Sequence, residues 1–201
     1  VRNRKWLVSP SGLREALEES SGSRYARGGA GTGRAAAGIA VHHLLQTWDR
    51  SDPGWFRTHS RAAARYGALQ AGAASEKVEA IVEEILERFL ASDLPRRLQG
   101  LDLIGREVPI EAPFEGQMVR GSIDLLYRHE QTIVVADFKT DECAPGKEAR
   151  LLDKYEDQLM AYARAVQRAN RLAVLPAREI WSIRTGRIAR HPGTGQAERS
   201  H

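Results

Sequence analysis

The 201-residue sequence predicts an α/β domain, with a central mixed sheet of about four or five strands flanked by α-helices. Three observations predict it. Two apolar, β-branched runs between Gly121 and Lys139 flank the polar turn Arg128–Gln131, which is the pattern of a hairpin. Amphipathic helical segments precede that hairpin, and a long one follows it. A last strand-like run, Glu179–Ser182, comes after that helix, with a turn at Thr185-Gly186.

The first residues are basic, and Ser9-Pro10-Ser11 has the form of a cap for a helix reaching about Glu19. Ser20–Gly33 is rich in Ser, Gly and Arg and reads as a flexible linker. Its GGAGTG run does not read as a phosphate-cradling loop. A Walker loop needs Lys-Ser/Thr after its last glycine, whereas Arg34-Ala35 follows here and no predicted strand leads in. Residues 34–49 have helical spacing, with Ile39, Val41, Leu44, Leu45 and Trp48 apolar. His42 lies one turn after Gly38 and shares its face with Leu45. A lone histidine on such a face is more often a core residue than a ligand.

Residues 54–67 and 74–92 read as two more helices, the second strongly amphipathic and ended by Asp93-Leu94-Pro95. Glu83, Glu84 and Glu87 fall on its polar side and read as a solvated face rather than a carboxylate cluster. Residues 101–114 read as a strand, and Pro109 and Pro113 make it an edge or bulged strand.

The hairpin carries Asp124, Asp137 and Lys139 where a plain buried strand would carry only Val, Ile or Leu. Burying an unpaired carboxylate is expensive, so these charges need a reason. If the turn centres on His129–Glu130, Tyr127 faces Thr132 and Asp124 faces Val135. Val135, Asp137 and Lys139 then share one face, alternating with Ala136 and Phe138. Asp124 becomes a diagonal neighbour of Asp137 at roughly 7–8 Å. Two carboxylates that close repel one another unless a cation sits between them. Mg²⁺, which takes oxygen ligands at about 2.0–2.1 Å, suits such a gap. Lys139 sets an ammonium beside it, suited to a phosphate oxygen or an attacking water.

Beyond the polar turn Asp141–Lys147, a helix is expected from about Glu148 to Asn170, with Leu152, Tyr155, Leu159 and Val166 as its core stripe. Gln158 and Tyr162 are four apart and stack on one face, where they either border the core or serve the Asp–Asp–Lys hairpin.

The order G-x-x-D, D-F-K-T and Q-x-x-x-Y, carried by Gly121, Asp124, Asp137, Lys139, Gln158 and Tyr162, resembles the PD-(D/E)XK nuclease superfamily. The nearest branch is the RecB-type nuclease domain of bacterial helicase–nucleases. The resemblance covers roughly residues 35–190, although Ile123 stands where the family's literal proline would precede Asp124. It implies a restriction-endonuclease-like fold and Mg²⁺-dependent cleavage of DNA, with Mn²⁺ as a substitute. It implies metal ligands at His42, Asp124, Asp137 and the Phe138 backbone carbonyl, since Gly38, His42 and Leu45 match the family's G-x-x-x-H-x-x-L helix. His43, about 100° away around that helix, is the fallback ligand. The catalytic residues it implies are Asp124, Asp137 and Lys139, with Gln158 and Tyr162 helping to position them. Glu107, in an E-x-P-like element, is either a distant ligand or a salt-bridging surface glutamate. The partners implied are single- or double-stranded DNA and a helicase, in the same chain or in a separate one.

Composition narrows the rest. The formal net charge is +4 and the pI near 9.5, which permits a polyanionic partner. Seven arginines between Arg164 and Arg190 could meet phosphates or form a solvated face. The single Cys143 excludes a disulfide framework and the four-cysteine iron–sulfur cluster of some RecB-type relatives. No apolar run is long enough to span a bilayer and no signal peptide is recognised, so a soluble, cytoplasmic protein is expected. The first residue is Val, as in a domain cut from a longer chain. The expected organisation is an N-terminal helix and linker over 1–33, a nuclease domain over 34–190 and a disordered tail over 191–201. The alternative function is an inactive nuclease-fold module that binds DNA or a partner protein within a repair helicase.

Overall fold

The computed structural model describes residues 29–52 and 54–191, so the expected helix at Ser9–Glu19 and the tail beyond His191 lie outside the described residues. Five strands form one sheet in chain order: β1 (Asp102–Phe114), β2 (Gln117–His129), β3 (Thr132–Lys139), β4 (Ala177–Ser182) and β5 (Arg187–His191). Tight turns join β1 to β2 and β2 to β3, and both pairs are antiparallel. β3 and β4 are parallel because a helical crossover joins them, and β5 returns antiparallel.

The two sheet faces are buried by different helices. On one side lie α1 (Gly29–Thr47), α2 (Trp55–Ala71), α3 (Ser75–Ala91) and the short α4 (Leu94–Gln99); on the other lie α5 (Ala149–Lys154) and α6 (Glu156–Ala169). Alternation along β3 sorts its side chains between them. Val134, Ala136 and Phe138 join the core formed with α1–α4, while Val135 packs with Tyr162 and Val166 of α6. The expected sheet flanked by helices is thus the observed one. β4, covered on both faces, is buried at every residue.

Several elements differ in detail. α1 begins at Gly29, so the last five residues of the expected linker are helical. Each glycine costs a helix only about 1 kcal/mol, and packing of α1 against α2 and α3 offsets it. α4 follows Asp93, with Pro95 in its first turn, where a missing N–H costs nothing. β1 is an edge strand with a register shift between Leu103 and Gly105, as its prolines foretold. The turn Glu115-Gly116, with φ of +47° and +79°, extends β2 back to Gln117. The expected Glu148–Asn170 helix is broken at Tyr155, and β5 follows the Gly186 turn although Glu179–Ser182 was expected to be the last strand.

The central hairpin is also shifted. His129 pairs with Thr132 and Tyr127 with Val134, two residues from the expected Tyr127–Thr132 pairing. Glu130, at φ +55°, closes a two-residue Glu130–Gln131 turn, whose twist suits the flanking strands. A shift of two keeps every side chain on its face but brings Asp124 level with Asp137 instead of diagonal to it.

Candidate active site

The C-terminal end of β3 and the middle of β2 lie beside α1 and α6, and the charged residues meet there. Asp124 and Asp137 are buried, at 7% and 3% exposure. The Lys139 ammonium, from the last residue of β3, lies 2.6 Å from Asp137 Oδ2 and donates to Gln158 Oε1 at 3.2 Å. Gln158 Nε2 donates to Asp137 Oδ1 at 2.8 Å and to the Tyr162 hydroxyl at 3.2 Å. The i, i+4 pair on α6 therefore grips β3. Asp124 Oδ2 accepts the Phe138 N–H at 2.6 Å and stands 3.6 Å from His42 Nδ1. The helix face seen in the sequence thus turns His42, not His43, toward Asp124. α1 comes close enough for this at Gly38, where a Cβ would stand 3.1 Å from Thr140 Oγ1.

Electrostatics follow from the burial. Burial pushes the Asp137 carboxyl up to about 6, with Lys139 opposing that rise and Asp124 adding to it. Burial alone would lower the His42 pKa, but its hydrogen bond and charge contact with Asp124 outweigh burial and raise it. Lys139 likewise loses to burial and gains more from Asp137, so its pKa is raised. Burial and the nearby Asp137 raise the Tyr162 hydroxyl, keeping it neutral as it accepts from Gln158. Glu107 is raised by burial and by Asp124, and bonds Ser122 from a left-handed backbone at φ +47°, a strained conformation of the kind found at functional sites. It therefore borders the site and is not a free surface glutamate.

Sequence reasoning missed one participant. Tyr155, expected only in a core stripe, puts its ring 4.0 Å beneath the Lys139 ammonium and donates its hydroxyl to Asp141 at 2.9 Å. It precedes Gln158 by three residues, so helical spacing held the signal. The C-terminal arginines, in contrast, mostly serve the fold. Arg178 pairs with Glu156, Arg184 with the Thr140 carbonyl and Glu84, Arg190 with Glu179, and Arg168 with the Pro113 carbonyl. They do not present one phosphate-binding face. Glu83, Glu84 and Glu87 are exposed, as the helix pattern implied.

His42, Asp124, Lys139 and Glu107 line an open cleft of about 480 Å³ together with Thr140, Asp141 and Tyr155. The profile of the PD-(D/E)XK nuclease superfamily matches residues 15–198 of this sequence. The chain belongs to that superfamily. Similar proteins include an ATP-dependent helicase/nuclease subunit of Desulforudis audaxviator, 37% identical over 124 residues that make up 55% of this chain and 10% of that protein. The protein of the same name from Streptococcus suis is 32% identical over 69% of this chain and 11% of its own length, and that from Bacillus mycoides 26% over 82% and 14%. The chain thus spans only 10–14% of the length of these relatives.

PD-(D/E)XK nucleases generally use divalent metals, so the fit of this site matters. Among the described residues, no three His, Cys, Asp or Glu side chains stand close enough together to hold an ion as they are. The donor chemistry nevertheless fits. Asp124 stands beside the His42 imidazole and level with Asp137 on the neighbouring strand, and Asp137 Oδ2 is buried without an aligned hydrogen bond. The Lys139 ammonium faces that oxygen, supplying the positive charge that the buried carboxylate requires. No helix among the described residues is long and apolar enough to cross a membrane.

Proposed function

We propose that this chain is a divalent-metal-dependent deoxyribonuclease, cleaving DNA phosphodiesters as the nuclease portion of a longer helicase–nuclease. The carrying observation is the buried Asp124–Asp137–Lys139 group, tied to Gln158 and Tyr162, at the edge of an open cleft. His42, Asp124, Asp137 and the Phe138 carbonyl would hold Mg²⁺ or Mn²⁺. When bound, the ion supplies Lewis-acid charge and lowers the pKa of a water. Gln158, donating to Asp137 and accepting from Lys139, holds both side chains in one orientation. Lys139 then meets the non-bridging oxygens of the phosphate, where negative charge grows as a water oxygen bonds to phosphorus and the P–O ester bond breaks. The alkoxide leaving group takes its proton from solvent in the open cleft. A helicase partner and a cytoplasmic location belong to this same reading, supported by the names and lengths of the relatives, as do domain limits near 34–190, which α1 and β5 extend to Gly29 and His191.

One observation favours a second reading, a nuclease-fold module that binds DNA or a partner without cleaving: among the described residues, the ligands are not gathered into a ready-made metal cage. The test is incubation with labelled single- and double-stranded DNA in Mg²⁺, Mn²⁺ or chelator, beside Asp137→Ala and Lys139→Ala. The expected result is metal-dependent cleavage that falls by about 10²–10³-fold or more in either variant. Folded wild type that neither cleaves DNA nor binds Mn²⁺ would leave only the binding module.

A further inference from the structure

The cleft has a second wall that the chemistry above does not use. Ile39 and His43 of α1 and Tyr66 of α2 line it together with the catalytic side chains. Tyr66 is 44% exposed and Ile39 37%. The Tyr66 and His43 rings lie 5.0 Å apart at 36°, forming a tilted aromatic shelf. The other cleft aromatic, Tyr155, already has its face covered by Lys139. Tyr66 therefore offers an aromatic surface inside the cleft that none of the other described residues covers fully.

Its position is built into the helix packing. Gly67, the next residue, lies against α1, where a Cβ would overlap the Ala36 carbonyl oxygen and come 3.1 Å from the Ala40 Cβ. Only glycine allows α2 this close, and the close approach sets Tyr66 beside His43. His43 in turn follows His42, whose ring faces Asp124. His43 and Tyr66 nevertheless line the same cleft as Asp124 and Lys139, so a strand bound there by its phosphates passes the aromatic pair. Stacking on such a face is tolerant of base identity, because every base has a π-face, but it requires the base to be out of a duplex at that step.

We propose that His43 and Tyr66 form a base-stacking subsite, which holds one unpaired nucleobase next to the scissile phosphate and so registers the strand over Asp124, Asp137 and Lys139. This deepens the nuclease reading and rests on it. The subsite acts in binding and positioning, and Tyr66 takes no part in bond breaking.

The experiment uses the 201-residue chain and oligothymidylates carrying 2-aminopurine at successive positions. Binding is read in Ca²⁺ and cleavage in Mg²⁺. Wild type should quench 2-aminopurine strongly at one position. Tyr66→Ala should abolish that quench and raise KM about tenfold, with kcat on saturating oligonucleotide little changed. Tyr66→Phe, which keeps the ring and loses the hydroxyl, should restore both. An abasic nucleotide at the quenched position should weaken wild type by the same factor and leave Tyr66→Ala unaffected. If wild type cleaves while Tyr66→Ala keeps its KM and its quench, the subsite is overturned and the nuclease stands. If the Tyr66-dependent quench is present without cleavage in any metal, the subsite stands and the catalytic reading falls. Folded protein showing neither sinks both.

Discussion

At the scale of single residues, the site is a problem in buried charge. Asp137 is held at 3% exposure with one oxygen on Gln158 and the other facing the Lys139 ammonium. Its carboxyl is pushed up to about 6, and His42 is also raised. A cation needs Asp137 ionised and His42 neutral, so both shifts act in one direction: metal binding must release protons. Affinity for Mn²⁺ should therefore rise as the pH climbs through about 6, where Asp137 ionises, and keep rising above 6.5 as His42 loses its proton. Titration calorimetry in two buffers of different ionisation enthalpy would count the released protons. Asp137→Asn should bind weakly and keep only the part of the pH dependence that His42 contributes. An affinity flat across that range would mean that these residues do not hold the ion.

The same scale shows how a site residue becomes legible. Asp124, Asp137 and Lys139 stood out because charge inside a β-branched run is costly. Gln158 and Tyr162 stood out only through their spacing. Tyr155 stayed hidden because it has the composition of a core position, and the use of its ring under Lys139 depends on where the helix breaks.

At the scale of elements, close packing of small residues brings α1 to both its neighbours. Gly38 lets it approach Thr140 after β3, and Gly67 lets α2 approach it. Ala36, Ala37 and Ala40 are fully buried along the same helix. Overpacking such a contact costs about 1–3 kcal/mol, so Gly67→Ala should lower stability by that amount in urea titration, although alanine is the better helix former. An unchanged or raised midpoint would show that α2 can move outward freely. The broken α5–α6 unit has a similar logic. Tyr155 ends α5 with its backbone at φ −110° and restarts α6, which frees its hydroxyl for Asp141. Helical periodicity runs on through such a break, so the sequence shows one helix where packing makes two.

At the scale of the whole molecule, charge is spread rather than gathered. The formal net charge is +4, yet many of the arginines near the C-terminus are spent on ion pairs and carbonyls within the chain. DNA contact should then rest on few phosphates. With about three neutralised on a single strand, the slope of log K against log salt is about −2, a loss of about twentyfold between 50 and 200 mM. Fluorescence anisotropy over that range would measure it. A slope several times steeper would require a basic surface beyond the cleft, and a flat one would remove DNA backbone as the ligand.

The sequence by itself determined a mixed sheet flanked by helices, the strand that carries each carboxylate, and the inward face of the helices that carry His42, the Glu83–Glu87 stripe and Gln158. These follow from periodicities of two and of 3.6, which the chain cannot hide. Placement in the superfamily follows from the same residues taken in order. Only the tertiary structure decided the register of the β2–β3 hairpin, because a slip of two residues leaves every face unchanged and turn geometry alone chooses between them. It also decided that Lys139 leans onto Asp137, that Tyr155 lies beneath that lysine, and that Tyr66 meets His43. The last two contacts join residues well separated in the chain, and burial and close backbone approach, which no local pattern records, brought them together.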